Sequence, residues 1–467
     1  MNTPIYNFVT EYRKKNVSRL HMPGHKGINF LGCEAYDITE IQGADELFTA
    51  DGIIHESECN ASELFGTAHS FYSTEGSSLA IRTMLALALS EWKNKISSDK
   101  FFNEGDDRTL PLTDSIGIRP YILAARNVHK SFVYGCALLD LDVEWIFPEN
   151  FKSLCSCEVT AATVEKLLSE AKVKPIGVYL TSPDYLGFVQ DIEGIAKVCE
   201  RYHVPLLVDN AHGAYTRFLN PSKHPIDLGA AMCCDSAHKT LPVLTGGAYL
   251  HISKHAPASF TAFSRNTMAV FASTSPSYLI MQSLDLCNQY LADQYEERLN
   301  HCIARVNELK AFITDKGFVV EESEPLKIVI DTLKSGYSGD ELSSILRDYF
   351  IEVEFADPEY VVMMFTPETT ALDYNRIEHA FSSIEIKEAL EKPFFSMEKP
   401  IRRCSIREAV FGRKEIIPLK DTVGRTSASP SVSCPPAIPI VVSGEIITEE
   451  AVKLFEYYGI DSVEVIK

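Results

Sequence analysis

The chain has 467 residues, of which 45% are hydrophobic and 23% charged, and its net charge at pH 7 is −20. A charge of this size and sign argues against general binding to nucleic acid or to an anionic membrane. No apolar stretch is long enough to span a bilayer, and the N-terminus lacks the basic and apolar regions of a secretory signal. The length exceeds what one hydrophobic core supports, so we expect several domains.

The twelve cysteines show neither a disulfide framework nor a zinc-finger spacing. The two close pairs are Cys155 with Cys157 and Cys233 with Cys234, and no CxxC occurs. We therefore expect no metal site. With no secretory signal, the cysteine pattern predicts reduced thiols and a cytoplasmic location.

The first 100 residues combine a predicted helix, a basic loop and a candidate anion site. Residues 5–19 have apolar positions at helical spacing, and residues 21–27 read HMPGHKG. A second helix is predicted over 58–70, ending in Phe65-Gly66-Thr67. Gly76, Ser77 and Ser78 then follow a short strand and precede a helix pattern at 82–92. Amide and hydroxyl groups at a helix start favour phosphate, although an ordinary serine N-cap is the alternative.

Strands and helices alternate through the middle of the chain. Strands are predicted at 121–125, 143–147, 176–180 and 204–209, and helices at 160–171 and 194–202. This alternation predicts an α/β fold with a parallel sheet, and open sheets of this kind bind ligands just beyond the strand ends. His129 follows the first of these strands, where it could lie on a planar cofactor or be an ordinary core histidine.

The remaining chain is predicted to continue with a long helix and smaller α+β segments. A hydroxyl cluster that includes Ser273 and Thr274 precedes a helix expected over 279–309. We expect four segments, namely an N-terminal arm and loop segment at 1–70, a large α/β domain at 71–300, a small α+β domain at 301–390 and a C-terminal domain at 391–467. Residues 100–118 are expected to form a loop.

The strongest chemical signal is a lysine placed 30 positions after an aspartate. Lys239 stands behind Ser236 and His238 in an apolar surrounding, and Asp209 ends a strand-like apolar run. Burial favours the neutral lysine amine, which condenses with carbonyls to form a Schiff base. A carboxylate that keeps a pyridine nitrogen protonated completes what pyridoxal phosphate requires. Either residue alone fits a surface lysine or a turn aspartate better, but the pair does not.

Together these motifs resemble the Orn/Lys/Arg decarboxylase family. The matching stretches lie at 21–27, 126–131, 181–187, 208–213, 236–242, 273–284 and 435–444. The resemblance implies a pyridoxal-phosphate enzyme of aminotransferase-like fold (fold type I). Its large domain would have a mainly parallel sheet, with smaller α+β domains at the C-terminal side. The chain resembles the short members of the family, without an N-terminal wing domain.

The resemblance also implies roles for individual residues. Lys239 would bind the cofactor covalently, Asp209 would bind its pyridine nitrogen, and His129 would stack on its ring. The phosphate or its surroundings would be held by Gly76, Ser77, Ser78, Ser236 and His238, and the cofactor face would lie against Ala211 and His212. Ser273 and Thr274 would reach the phosphate in a second copy, which makes a homodimer the smallest active unit. Reprotonation of the substrate carbon falls to Lys239 or His238.

The chain departs from the family pattern at several positions. Glu75 replaces the usual asparagine and Asp184 a threonine, Thr245-Gly246-Gly247 replaces a more polar stretch, and Ser429 and Cys434 replace glutamate and tyrosine near the C-terminus. The central lysine, aspartate and histidine are unchanged, so cofactor binding is expected. The C-terminal changes lie in a region that the family uses near its substrate.

We expect decarboxylation of arginine, lysine or ornithine to the corresponding amine, as in polyamine metabolism. An acidic partner would bind the cationic side chain of the substrate, and Asp184 and Glu75 are candidates. Transamination or another lyase reaction on the same fold is the alternative. A non-catalytic homologue is a third reading, against which the intact Lys239, Asp209 and His129 count.

Overall fold

The computed structural model describes residues 1–101, 119–149, 151–393, 395, 399–430 and 437–467. These residues form two compact units that are both discontinuous in sequence. The first unit comprises Met1–Leu123, Thr160–Leu180 and Asp191–Tyr295, and the second comprises Ala124–Val159, Thr181–Gln190 and Glu296–Lys467. The division into four segments stays a prediction.

The described α-helices are named in chain order. They are α1 Pro4–Lys14, α2 Ile53–Phe65, α3 Gly76–Phe101, α4 Lys130–Leu139, α5 Ala161–Glu170, α6 Ile192–Tyr202, α7 Ala237–Thr240, α8 Ala258–Phe271, α9 Tyr278–Ala292, α10 Tyr295–Asp315, α11 Gly339–Asp348, α12 Ala371–Ser383, α13 Ile406–Phe411 and α14 Glu449–Tyr457. None of the described helices is both long and apolar enough to cross a membrane.

The described strands are β1 His69–Ser73, β2 Tyr121–Ala125, β3 Asp142–Ile146, β4 Val178–Thr181, β5 Leu206–Asp209, β6 Met232–Asp235, β7 Ala248–Ile252, β8 Val319–Glu321, β9 Lys327–Asp331, β10 Phe355–Ala356, β11 Tyr360–Met364, β12 Lys414–Pro418 and β13 Ser462–Ile466. Seven of them form one sheet in the order β1-β7-β6-β5-β4-β2-β3. This mixed, mostly parallel sheet confirms the predicted α/β fold class.

Strand directions bring several chain segments to one edge of this sheet. Strand β5 runs parallel to β6, while β7 is antiparallel to both β6 and β1. Strand β1 is therefore parallel to β6. The residues that follow β1, β5 and β6, and those that precede β7, consequently share one edge, where open α/β sheets bind ligands.

Strands β5 and β6 are apolar because they are covered on both faces. Every residue of β5 and β6 is buried, and the two strands read LLVD and MCCD. A continuous apolar run without alternation is typical of a strand inside a parallel sheet. Only the last residue of each strand, Asp209 and Asp235, carries a charge. The polar groups of these strands therefore lie at the ligand-binding edge.

The second unit contains two smaller antiparallel sheets. One has the order β10-β11-β9-β8, and the other pairs β12 with β13. Helices α11 and α12 belong to the same unit, as do α13 and α14. These elements match the α+β character expected for the C-terminal half.

Three predicted helices have different bounds, and each of them ends at or near a left-handed residue. Helix α1 ends at Lys14 rather than residue 19, because Asn16 has φ +46°. Helix α2 begins at Ile53 rather than residue 58, and it ends at Phe65 as the predicted ending in Phe65-Gly66-Thr67 indicated, because Gly66 terminates it with φ +69°. The single helix expected over 279–309 is wrong, since Gln294 with φ +53° separates α9 from α10. The loop expected at 100–118 lies almost entirely outside the described residues.

Candidate active site

Asp209 is a buried carboxylate at the C-terminal end of β5. The residue is 3% exposed, and its carboxylate accepts hydrogen bonds from the Tyr179 hydroxyl (3.2 Å) and the Ala211 amide (3.2 Å). The Cys234 thiol lies 3.6 Å from Oδ1. Burial raises the pKa of Asp209, and the nearby Lys239 ammonium acts in the opposite direction. A buried carboxylate is stabilised by a cationic partner.

Lys239 lies on the short helix α7, directly after β6. Its Nζ is 2.7 Å from Nε2 of His212, which follows β5 in the same unit. His212 is 4% exposed, whereas Lys239 is partly exposed. Two consecutive strand ends therefore bring an amine, an imidazole and a carboxylate into one neighbourhood. Contact with an imidazole gives the lysine amine a group that can accept or return its proton.

A hydrogen-bond network connects the two strand ends behind these groups. Asp235, the last residue of β6, accepts from His224 Nε2 (3.1 Å) and His251 Nε2 (3.2 Å) through one oxygen. Its other oxygen accepts from Asn210 Nδ2 (2.7 Å), and Asn210 is the neighbour of Asp209 in the chain. Burial alone would raise the pKa of Asp235, but the two imidazoles lower it below its ordinary value. The network thus fixes the segment before Lys239 to the segment after Asp209.

The start of α3 lies at the same edge of the sheet. The Gly76 amide donates to the carbonyl of Gly246 (2.8 Å), which belongs to the loop between α7 and β7. Gly246 has φ +97°, and a Cβ there would lie 3.0 Å from the Thr74 carbonyl oxygen, so this approach requires glycine. Ser77 and Ser78 occupy the first turn of α3, and the amides and hydroxyls at a helix start favour an anion.

The hydroxyl cluster at 273–275 is adjacent to this helix start in the same chain. The Ser273 amide donates to Glu75 Oε1 (2.7 Å), and the Ser275 amide donates to Ser273 Oγ (3.2 Å). Glu75 is exposed, and its carboxylate contacts the backbone of Ser273. The residue that replaces the family's asparagine therefore has a partner within the same chain. The contribution of Ser273 and Thr274 to a second copy stays a prediction.

Three other predicted residues, Ser236, His238 and Ala211, lie next to Lys239 or next to Asp209 in the chain. Ser236 is 2% exposed and precedes α7, and His238 Nδ1 is hydrogen-bonded to the Gly247 carbonyl (3.0 Å). Ala211 lies between Asp209 and His212. The structure thus gathers the predicted residues of the first unit at one sheet edge, while their contacts with a cofactor stay predictions.

His129 belongs to the second unit, where it begins α4. Its Nδ1 accepts from the Ser131 amide (3.1 Å), and the Lys130 amide donates to the Ala437 carbonyl (2.9 Å). Nearby, Arg126 and Glu445 form a buried ion pair (2.8 Å). The described part of the 435–444 motif therefore packs beside the segment that carries His129. The stacking role of His129 stays a prediction.

Asp184 is unsuited to bind a substrate side chain. It is fully buried, its Oδ1 accepts from the Phe188 amide (2.9 Å), and its carbonyl accepts from Lys327 Nζ (2.8 Å). Burial raises the pKa of Asp184 to about 6. Asp184 thus stabilises a turn within the second unit. Ser429 is half-buried, with its carbonyl accepting from the Ser427 hydroxyl (2.9 Å), and Cys434 lies outside the described residues.

Sequence reasoning missed Tyr179, Asn210 and the group formed by Asp235, His224 and His251. Asn210 and Asp235 were visible next to Asp209 and Ser236, and their position after apolar strands was a usable signal. Tyr179 appeared only as part of a predicted strand. His224 and His251 are 27 residues apart in the chain, and they meet at the carboxylate of Asp235.

The donor set fits pyridoxal phosphate. Asp209 is a buried carboxylate with a raised pKa, which suits a protonated ring nitrogen as partner. Lys239 is a partly exposed amine beside an imidazole, which suits a carbonyl carbon. The α3 start with Gly76, Ser77 and Ser78 suits a dianion. These three chemistries lie at a single edge of the sheet.

Comparisons with known proteins point to one family. A family model described as "Orn/Lys/Arg decarboxylase, major domain" matches residues 118–333, and one described as "Orn/Lys/Arg decarboxylase, C-terminal domain" matches residues 386–462. The uncharacterized protein YaaO of Bacillus subtilis (strain 168) is 30% identical over 97% of this chain and 93% of its own length. An arginine decarboxylase of the same organism is 28% identical over 96% of this chain and 92% of its own length.

The fold has a close counterpart among solved structures. The constitutive lysine decarboxylase of E. coli is similar with a TM-score of 0.73, covering 100% of this chain and 82% of its own. Sequence identity to that protein is 16%, so the likeness concerns the fold. It agrees with the aminotransferase-like architecture that the sequence predicted.

Proposed function

The chain belongs to the Orn/Lys/Arg decarboxylase family, and we propose from this that it decarboxylates a basic amino acid with pyridoxal phosphate as cofactor. The observation that carries the proposal is the juxtaposition of Lys239 with His212 at 2.7 Å, beside the strand that ends in the buried Asp209. Among arginine, lysine and ornithine, arginine is the first candidate, because the relative that is 28% identical over 96% of the chain is an arginine decarboxylase.

When bound, the cofactor supplies an electron-accepting ring that takes up the electron pair released as the α-carboxylate leaves as CO₂. Asp209 keeps the proton on the ring nitrogen, because a buried carboxylate is most stable beside a positive charge. Lys239 attaches the cofactor through Nζ. His212 accepts and returns the proton at Nζ.

The remaining predicted residues hold the cofactor and complete the assembly. Gly76, Ser77 and Ser78 bind the phosphate at the start of α3, with Ser236 and His238 close to it, and His129 stacks on the ring. Ser273 and Thr274 serve the site of a second copy, so the active form is a homodimer. The chain acts on a small-molecule amino acid, and its cysteine pattern favours a cytoplasmic location.

The direct test is product analysis with each candidate substrate. Incubation of the cofactor-loaded protein with arginine, lysine or ornithine is expected to release CO₂ and the matching amine in equal amounts, with arginine fastest. Lys239→Ala should abolish turnover, whereas Lys254→Ala, which removes an exposed lysine of the same unit, should leave it unchanged. A keto acid without CO₂ would show transamination instead. No product from any of the three would refute the proposal.

Chemical labelling tests the attachment residue independently of turnover. Borohydride reduction of the loaded protein, followed by peptide mapping, should place the cofactor on Lys239. A label on another lysine would assign the attachment elsewhere, even if CO₂ were released.

A further inference from the structure

A second group of reactive side chains lies outside the proposed active site, on α2 and β1 of the first unit. His55 and Cys59 are four residues apart on α2, so they face the same side of the helix one turn apart. His69 is the first residue of β1. His55 and Cys59 are exposed, whereas His69 is buried. The cysteine spacing predicted no metal site, because the chain has no CxxC and no cysteine pairs at zinc-finger spacing.

The distances within this group match those of a metal-binding cluster. Cys59 Sγ lies 3.5 Å from His55 Nε2, and the His55 and His69 rings lie 5.5 Å apart. One ligand atom from each of the three residues lies within 4.8 Å of the others. Zinc bonds of about 2.3 Å to sulfur and about 2.0 Å to nitrogen, at a tetrahedral angle, separate S and N by about 3.5 Å. One edge of a tetrahedral site is thus already formed, and the exposed side chains can rotate to close the others.

Glu58 orients His69 in the way that carboxylates orient metal-binding histidines. His69 Nε2 lies 3.0 Å from Glu58 Oε2, and the other Glu58 oxygen accepts from the Tyr72 amide (2.9 Å). An Nε2–H bond to this carboxylate leaves the Nδ1 lone pair of His69 for a metal, and such outer contacts strengthen the ligand. Glu58 also forms an ion pair with Arg265, so the negative charge of Glu58 offsets the positive charge of this arginine.

We propose that His55, Cys59 and His69 bind a divalent cation of the zinc type, with a fourth position open to water. Two imidazoles and one thiolate are ligands that Zn²⁺ accepts in tetrahedral sites. The bound ion would connect α2 to β1, the strand that leads to Gly76 at the start of α3. Metal binding is then expected to stabilise the first unit.

The other histidine cluster of the first unit does not compete for this assignment. His224 and His251 are both hydrogen-bonded through Nε2 to Asp235, whose second oxygen accepts from the Asn210 side chain. That cluster is fully buried, and its carboxylate already has three donors. The group of His55, Cys59 and His69 differs in having two solvent-exposed ligands.

The test is metal titration of the full-length, chelator-treated protein. Co²⁺ should produce visible d–d bands of a tetrahedral site with a thiolate ligand, and Zn²⁺ should displace them at one ion per chain. Zn²⁺ should also raise the thermal midpoint. The variants His55→Ala and Cys59→Ser should lose both effects. Cys33→Ser, which removes a thiol elsewhere in the same unit, should retain them.

Both altered side chains are exposed, so their removal leaves the core intact. A loss of metal binding in these variants therefore reports on the ligands and not on unfolding. Unchanged circular dichroism would show that each variant is folded, and neither this readout nor the metal titration depends on the proposed function. Titrations that show no cobalt bands, or zinc binding that persists in the double variant His55→Ala/Cys59→Ser, would overturn the proposal.

Discussion

At the residue scale, the proposed function depends on the environment of Asp209. Its carboxylate is 3% exposed, and burial raises its pKa. Such a group is stabilised by a cation that stays beside it, which is the state that a protonated ring nitrogen provides. The same environment explains why one aspartate among the many of this acidic chain is suited to this role.

The substitution Asp209→Asn should separate cofactor binding from turnover. The amide keeps the size of the side chain but cannot stabilise the positive ring nitrogen, so we expect retained cofactor and a loss of about 10²–10³ in kcat. Tyr179→Phe is the matched control, because it removes one hydrogen bond to the same carboxylate. That bond is worth about 1 kcal/mol, or about fivefold. Near-normal kcat in Asp209→Asn would give this residue another role.

At the element scale, the paired ends of β5 and β6 are held by the Asp235 network. Asp235→Asn places an amide where the carboxylate accepts from His224, His251 and Asn210. At least one buried donor then loses its acceptor, which costs about 1–3 kcal/mol. We expect a lower thermal midpoint at pH 7, with Asp293→Asn as an exposed control in the same unit.

The pH dependence of this contribution has a definite sign. The pKa of Asp235 is lower in the folded protein than its ordinary value of about 4. The network therefore stabilises the fold above that pH and loses its contribution as the pH falls through the lowered folded pKa. The wild-type advantage over Asp235→Asn should persist at neutral pH and shrink only in strong acid. An advantage that disappears between pH values of about 5 and 7 would contradict this assignment.

The turn between β10 and β11 should show the opposite pH dependence. Burial raises the pKa of Asp357 to about 7, while its Oδ1 accepts from the amides of Glu359 and Tyr360. The folded state therefore prefers the protonated acid. Its stabilising contribution is complete below the unfolded pKa and is lost as the pH rises to about 7.

Asp357→Asn keeps an acceptor oxygen and removes this titration. The variant should gain stability relative to wild type as the pH rises from about 5 to about 8, by up to ~3 kcal/mol. Thermal unfolding at both pH values measures the gain. Asp315→Asn, an exposed site in the same unit, should show none. A variant whose relative stability is the same at both pH values would show that Asp357 does not titrate in this range.

At the scale of the whole molecule, the proposed homodimer should be linked to cofactor binding. Ser273 lies beside Glu75 and the start of α3 in its own chain, so this segment is adjacent to the candidate phosphate site. If Ser273 and Thr274 complete the site of a second copy, cofactor and association each stabilise the state that the other needs. The double variant Ser273→Ala/Thr274→Val should then weaken both.

Sedimentation velocity with and without added cofactor measures this linkage. We expect wild type to dimerise more tightly with cofactor and the double variant to dissociate at higher concentration and to lose cofactor on dialysis. Ser259→Ala, a hydroxyl removed elsewhere in the same unit, is the control. A monomer that retains cofactor and full turnover would refute a shared site.

The sequence by itself determined the fold class and predicted the roles of Lys239 and Asp209. Local signals were sufficient there, because strand β5 is a continuous apolar run that ends in a charge, and Lys239 follows the next such strand. The helix pattern likewise placed the candidate phosphate site at Gly76. These features depend on neighbours in the chain, so periodicity and motif spacing reveal them.

Only the tertiary structure decided the contacts between distant segments. The approach of His212 to Lys239, the pairing of Asp235 with His224 and His251, and the group of His55, Cys59 and His69 result from strand order and helix packing. Asp184 illustrates the same limit, since its motif position gave it a candidate role that burial in a turn excludes. Sequence spacing carries local conformation, whereas the distances that make a site depend on how strands pair and helices pack.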